Sequence, residues 1–308
     1  MPETDWPAGS RLLVPMNCAR RGLLRLVVSA AVAEAFFEPR GELYVPSELT
    51  RGPWDPDSQH AGPPAALVGR EVERLPSDSP RHVGRITFEI LRAVPISPLR
   101  VEARVARPGR TVELVEATLS DEEGEVMRGA AWRLRTSDVE VPPELASATG
   151  RLGGPSSAGV IRPGVVPAGP DVAREREFFD TGQAVGYHTA MEYRFVSGAF
   201  REPGPATVWM RMRQPLVAGE DPSPLQRVLV AADSGNGVSA TLDWARFVFI
   251  NVDLTVHLNR LPEGEWVCLD AITIPEPTGI GLSDTALYDE RGPIGRAAQT
   301  LLVAERSG

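Results

Sequence analysis

Two stretches of this chain repeat one another at a fixed spacing, and that spacing limits the fold more than any single motif does. DEEGEVMRGA (121–130) lies over DERGPIGRAA (289–298), so that Asp121 meets Asp289, Gly124 meets Gly292 and Arg128 meets Arg296. The same offset of 168 residues lays ITFEILR (86–92) over LTVHLNR (254–260), matching Arg92 with Arg260, and no gap is needed between the two matches. Such a chain is expected to fold as two copies of one unit.

Each copy reads as antiparallel sheet. Ile86, Phe88 and Ile90 alternate with polar residues, as do Leu254, Val256 and Leu258 at the matching positions, the period of a half-buried strand. Strand-like runs follow at 99–106, 110–120 and 126–135, separated by the Gly-containing turns RPGR and EEGE. The second copy repeats them with EWVCLDAITI, GIGLSDTALYD and IGRAAQTLLVA. Before the strands each copy carries one helical segment. The first opens at Gly62-Pro63-Pro64; the second opens at Pro224, where Asp221 or Ser223 offers a cap. Leu225, Val228, Leu229 and Ala232 make the second helix apolar nearly all round, which predicts burial.

The remaining composition assigns boundaries and excludes function classes. Residues 140–174 are rich in Pro, Gly, Ser and Ala and read as a linker between units at 34–139 and 175–308. Residues 1–33 stand apart. Arg20 and Arg21 precede GLLRLVVSAAVA, as in a signal peptide, but Arg25 interrupts the apolar run. The expectation is a disordered or wrongly assigned leader, with the body starting near Ala33. A net charge of -9 gives no basic surface for nucleic acid, and no stretch is long and uncharged enough to span a membrane. Every basic residue is Arg, so no Schiff-base or P-loop lysine exists. Cys18 and Cys268 are too far apart for a disulfide framework, which fits a cytoplasmic protein, and Cys268 in WVCLDA reads as a buried strand residue. The four histidines are scattered, so no metal site is expected.

A helix followed by four antiparallel strands, occurring twice across a long linker, is the plan of a double hotdog: an α+β fold of two antiparallel sheets, each wrapped around a central helix. The chain also resembles TesB-like acyl-CoA thioesterases, a family within the double-hotdog thioesterase-like superfamily. The resemblance runs from about Phe36 to Ala304, through ELTRGPWDPDSQHAGPPAALVGREVE (48–73), ITFEILRAVPISPLRVEARVARPGRTVELVEATL (86–119), PLVAGEDPSPLQRVLVAADSGNGVS (215–239), FINVDLTVHLNRLPEGEW (249–266) and GIGLSDTALYDERGPIGRAAQTLLV (279–303). It implies hydrolysis of acyl-CoA to free acid and CoA, with three water-activating residues in the second unit. The Asp on the central helix falls at Asp233 and the Gln on the last strand at Gln299; the Thr or Ser position falls at Asn251, a departure, because an amide cannot relay a proton as a hydroxyl does. His60 and Gly62 are expected to line the substrate site from the first unit. No cofactor is implied, and monomer and homodimer are both compatible with two units in one chain.

The residues carry part of this without the family. Subtracting the offset places Asp233 on Ala65, Asn251 on Val83 and Gln299 on Ala131, so the polar trio belongs to one unit alone. Asp233 follows the apolar run VLVAA, where desolvation makes a carboxylate a stronger base, although it also suits a helix end. Gln299 interrupts the apolar AAQTLLV and needs buried partners, either a held water or a neighbouring strand. Asn251 opens a strand and also suits a plain turn. Trp54, Trp244 and Phe247 fit a substrate tunnel, with core packing the stronger expectation. Two readings of other kinds stay open: a catalytically silent acyl-CoA or acyl-chain binder, which the Asn at the hydroxyl position favours, and a hydratase. A hydratase wants an Asp–His pair, and no His lies near Asp233 in sequence.

Overall fold

The computed structural model describes residues 34–140 and 166–306. The leader, Cys18 and most of the expected linker fall outside them. Thirteen strands and two principal helices are described: β1 Phe37–Arg40, β2 Leu43–Pro46, α1 Gly62–Arg74, β3 Arg81–Ile90, β4 Arg100–Arg107, β5 Val112–Asp121, β6 Gly124–Arg135, β7 Met191–Ala199, β8 Glu202–Met212, α2 Pro224–Ala232, β9 Phe247–Asn251, β10 Asp253–Leu258, β11 Val267–Pro275, β12 Ile280–Asp289 and β13 Gly292–Glu305. One-turn helices lie at Tyr187–Ala190 and Gly235–Val238.

The duplication appears as register. Thr87 faces Ala130 across β3 and β6, and Thr255 faces Ala298 across β10 and β13. Ala117 faces Gly129 where Thr285 faces Ala297, and Glu102 faces Thr118 where Asp270 faces Ala286. The Arg92–Asp121 ion pair recurs as Arg260–Asp289, each at 2.5 Å. All of these pairs keep the 168-residue offset. The helices do not, because α1 begins at Gly62 and α2 at Pro224, closer in number than the strands. Ala65 is therefore not the counterpart of Asp233. The segment from Asp233 to β9 is longer than its equivalent after α1. The strand pairings of the other two residues hold: Val83 faces Arg133 as Asn251 faces Leu301, and Ala131 faces Val115 as Gln299 faces Ser283.

Two separate sheets were expected; one continuous antiparallel sheet of eleven strands is found, in the order β4-β5-β6-β3-β10-β13-β12-β11-β8-β7, with β9 also on β13. The join is β3 against β10, where Thr87 and Thr255 are partners and their hydroxyls meet at 3.1 Å. An unpaired strand edge leaves backbone N–H and C=O groups without partners, and pairing the equivalent edges of both copies removes two such edges at once.

Both helices are buried. α1 packs on β3 to β6, and α2 packs on β8 and β11. Ser223 caps α2 by accepting from the Gln226 amide at 3.1 Å, ahead of Pro224. Arg133 donates to the Val72 and Leu75 carbonyls at the end of α1, at 2.9 Å each. The helices also pack on one another, and the glycines of α1 allow it. A Cβ at Gly62 would lie 2.4 Å from the Val230 carbonyl oxygen, and one at Gly69 would lie 2.3 Å from Leu229 Cδ1. This contact brings the start of α1 against the end of α2. Cys268 is buried in β11 beside Trp209, Trp266 and Tyr288. Part of the expected linker packs there too, the Trp209 indole donating to the Ala168 carbonyl at 2.7 Å. Among the described residues no helix is long and apolar enough to cross a membrane.

Candidate active site

α2 ends where its apolar run ends, and Asp233 is its C-cap. The carboxylate does not reach open solvent, the residue being 7% exposed. Its oxygens have different surroundings. Oδ1 accepts from Asn251 Nδ2 at 2.9 Å and from Gln299 Nε2 at 3.1 Å. Oδ2 lies 3.1 Å from His60 Nδ1. The three residues singled out in the second half of the chain, and His60 from the first half, therefore meet at one carboxyl group.

Each of these side chains is placed by its element. Gln299 is on β13, 2% exposed, beneath Asp233. Its amide N–H groups also reach the Asp233 carbonyl at 3.1 Å, and its oxygen accepts from the Asn236 amide at 3.1 Å. Gln299 thus locks the turn after α2 and lies behind the cavity rather than on its wall. Asn251 ends β9 and does line the cavity; its Nδ2 is also 3.3 Å from the Asp253 carbonyl, which leaves its amide oxygen as an acceptor.

His60 precedes α1. Its ring stacks on Tyr187 with centroids 3.7 Å apart, and its Nδ1 accepts from the Gly62 amide at 3.1 Å. Burial pushes the His60 pKa below its ordinary value, against the opposing pull of Asp233, so the ring is neutral near pH 7. With Gly62 donating to Nδ1, the hydrogen of the neutral ring is assigned to Nε2, and the single Nδ1 lone pair lies between the Gly62 amide and Asp233 Oδ2. Tyr187 is pinned in turn by Val230 O at 2.7 Å and Ser234 Oγ at 2.9 Å. Pro63 and Pro64 carry no amide hydrogen, so in the first turn of α1 the Gly62 N–H serves His60 and the two positions after it offer no donor.

A cavity of about 370 Å³ opens beside this group, lined by His60, Asp233, Asn251 and a set of aromatic rings. Trp54 and Trp244 belong to that lining, and Trp54 is 42% exposed, so the expectation of core packing fails for it. Phe247 is on β9, outside the lining. The sequence reasoning missed the His60–Asp233 pair, because proximity was judged along the chain. Gly62 and Gly69, seven residues apart on one helix face, are the signal for the close helix crossing that makes the pair. Among the described residues no group of His, Cys, Asp and Glu is placed to hold a metal ion.

A continuous antiparallel sheet with two buried helices, and a buried carboxylate at the wall of an apolar cavity, define a hotdog-fold protein. The fold matches a protein described as a thioesterase II from Thermobifida fusca, at TM-score 0.64 and 18% identity over 88% of this chain and 96% of that one. It also matches the acyl-CoA thioesterase II TesB2 of Mycobacterium marinum (TM-score 0.59, 15% identity, 88% and 97% coverage) and a hot dog fold protein of Alicyclobacillus acidocaldarius (0.63, 13%, 89% and 97%). No curated protein matches the chain by sequence. The acyl-CoA thioesterase N-terminal domain matches residues 50–134 and the C-terminal domain residues 166–303. The chain belongs to the acyl-CoA thioesterase family and is a thioester hydrolase.

Proposed function

We propose that the chain is a double hotdog, with units at 34–139 and 175–308 each built around its own helix. It is proposed to hydrolyse acyl-CoA in the cytoplasm by general-base attack of water, as a monomer or homodimer. The observation that carries the mechanism is the asymmetry of the Asp233 carboxylate. Oδ1 is occupied by two amide N–H groups, which fixes the carboxylate plane and leaves Oδ2 as the basic atom. Water held by Asp233 Oδ2 and the Asn251 amide oxygen adds its oxygen to the thioester carbonyl and gives one proton to Oδ2. His60 Nδ1, 3.1 Å from Oδ2, accepts a hydrogen bond from that proton. The tetrahedral adduct collapses, the C–S bond breaks, and the CoA thiolate takes the proton back from Asp233, giving acid and thiol. Gln299 is a positioning residue in this scheme: both ends of its amide are spent on the turn that carries Asp233. Gly62 serves substrate binding by holding His60 at the cavity wall.

The test is thiol release from acyl-CoAs by the full chain, with Asp233→Ala as the comparison. Turnover lost in a variant with native circular dichroism supports the scheme. A wild type that binds acyl-CoA and never releases thiol means a silent binder. Because an Asp–His pair is present in space, hydration of an enoyl-CoA is run alongside; hydration without thiol release replaces the hydrolase reading.

A further inference from the structure

One side of the cavity beside Asp233 is built of aromatic rings, facing aliphatic side chains that include Ile90, Val94 and Val252. Trp54 comes from the loop before α1, Phe178 and Phe179 from the segment before β7, Tyr193 and Phe200 from β7 and its turn, and Trp244 from the loop before β9. These rings form one continuous series of contacts, stacked from Trp244 to Phe179 and tilted beyond it. Trp244 to Trp54 is 3.7 Å between centroids, Trp54 to Phe179 is 4.8 Å, Phe179 to Phe178 is 4.5 Å, and Phe178 to Phe200 is 4.2 Å. Tyr193 closes edge-on against Phe200 at 5.0 Å. The far end of the series is anchored in the core: Phe200 and Tyr193 are buried, and Phe200 also packs edge-on against the buried Phe195.

Size and rigidity follow from this. The cavity holds about 370 Å³. That is at the small end of the roughly 300–1,000 Å³ found for small-molecule sites. A straight aliphatic tunnel can lengthen by rotamer changes of Leu or Met, whereas an interlocked ring series yields only if several rings move together. Ring faces and edges also offer an aryl group stacking geometry that an alkyl chain cannot use.

We propose that this thioesterase acts on compact acyl groups, ring-bearing ones foremost, and that Trp54, Phe200 and Trp244 set the ceiling. This rests on the thioesterase reading of the site, and the experiment separates the two. Thiol release by the full chain is measured with phenylacetyl-, octanoyl- and palmitoyl-CoA. The Kd values of the corresponding non-hydrolysable thioether analogues are measured in parallel. The first two substrates are expected to exceed palmitoyl-CoA in kcat/KM by about tenfold or more, with the same order in Kd. Trp244→Ala at the mouth and the milder Phe200→Leu at the closed end should each raise the palmitoyl-to-octanoyl ratio by about fivefold or more. Equal or tighter binding and turnover of the palmitoyl compounds, or a ratio unmoved in both folded variants, overturns the proposal. No turnover of any substrate with the Kd order intact overturns the hydrolase reading and leaves the ring wall supported.

Discussion

Replacing Asp233 with Asn removes a charge and keeps every hydrogen bond the carboxylate makes. On the Oδ1 side two N–H donors converge, from Asn251 and Gln299, so the new amide oxygen goes there. The Oδ2 side faces His60 Nδ1, which already accepts from the Gly62 amide, so the new amide NH₂ shares that acceptor. Two charge-assisted bonds become neutral ones, a loss of about 1 kcal/mol each, offset by burying an amide in place of a charge. Stability should therefore change by about 1 kcal/mol or less, a shift of a few degrees in Tm. Under the proposed scheme, catalysis loses the group that takes a proton from the water. General-base contributions run at about 10²–10⁴-fold, or roughly 3–5 kcal/mol of transition-state stabilisation. The assay is kcat/KM for octanoyl-CoA by thiol release, with thermal melts on the same samples. An Asp233→Asn enzyme with an unchanged melt that keeps more than about a tenth of wild-type kcat/KM refutes the assignment of Asp233 as base. Asp233→Ala is the less clean probe, since it strips one acceptor from both amide side chains, although the Asp253 and Asp233 carbonyls still accept from them.

Other consequences are equally open to measurement. Gly235→Ala puts a Cβ 2.4 Å from Thr285 Oγ1, so a loss of about 1–3 kcal/mol is expected in urea melts, and Thr285→Ala in the same chain should recover most of it. Burial pushes Asp289 up, but its bonds from Arg260 and the Glu263 and Arg291 amides outweigh this and hold its pKa below the usual carboxylate value. A depressed folded pKa contributes stability that is present above the unfolded value and lost as pH falls below about 4. Arg260→Leu should cost about 3 kcal/mol at pH 7 and flatten that acid dependence in melts from pH 3 to 7; an unaltered acid limb counts against the pair. His60 is held neutral by burial, so stability should also decline as pH falls below about 6.5 towards its lowered folded value, and His60→Gln should remove that component.

Most of the sheet was legible because it is written twice. Asp121, Gly124 and Arg128 occupy a tight turn and the strand after it, and their partners at Asp289, Gly292 and Arg296 do the same, so one offset located four strands in each half. The offset failed at the helices because the longer segment between α2 and β9 breaks the spacing. β8 gave no strand signal at its start, where Pro203 and Pro205 cannot donate to a ladder. Gln299 stood out as a polar interruption of an apolar strand and Asp233 as the end of an apolar run, whereas Asn251 came from the family resemblance alone. His60 was named only as lining, since its relation to Asp233 depends on how two helices cross, which spacing along the chain does not encode. The role expected for Gln299 changed for a similar reason: polarity in a buried strand says that partners exist, and only coordinates show that they are the Asp233 turn itself.

The hydroxyl pair at Thr87 and Thr255 marks a seam with a practical meaning. Cut there, the carboxyl-terminal piece would present β10 as a raw edge and would have lost the imidazole 3.1 Å from the Asp233 carboxylate, as well as Trp54 from the ring wall. The amino-terminal piece, with Val83 and Ala131 where the amides stand in its sibling, would lack the carboxylate and both amides. Expressing either piece by itself should therefore yield something sticky and inert, not a half-active enzyme.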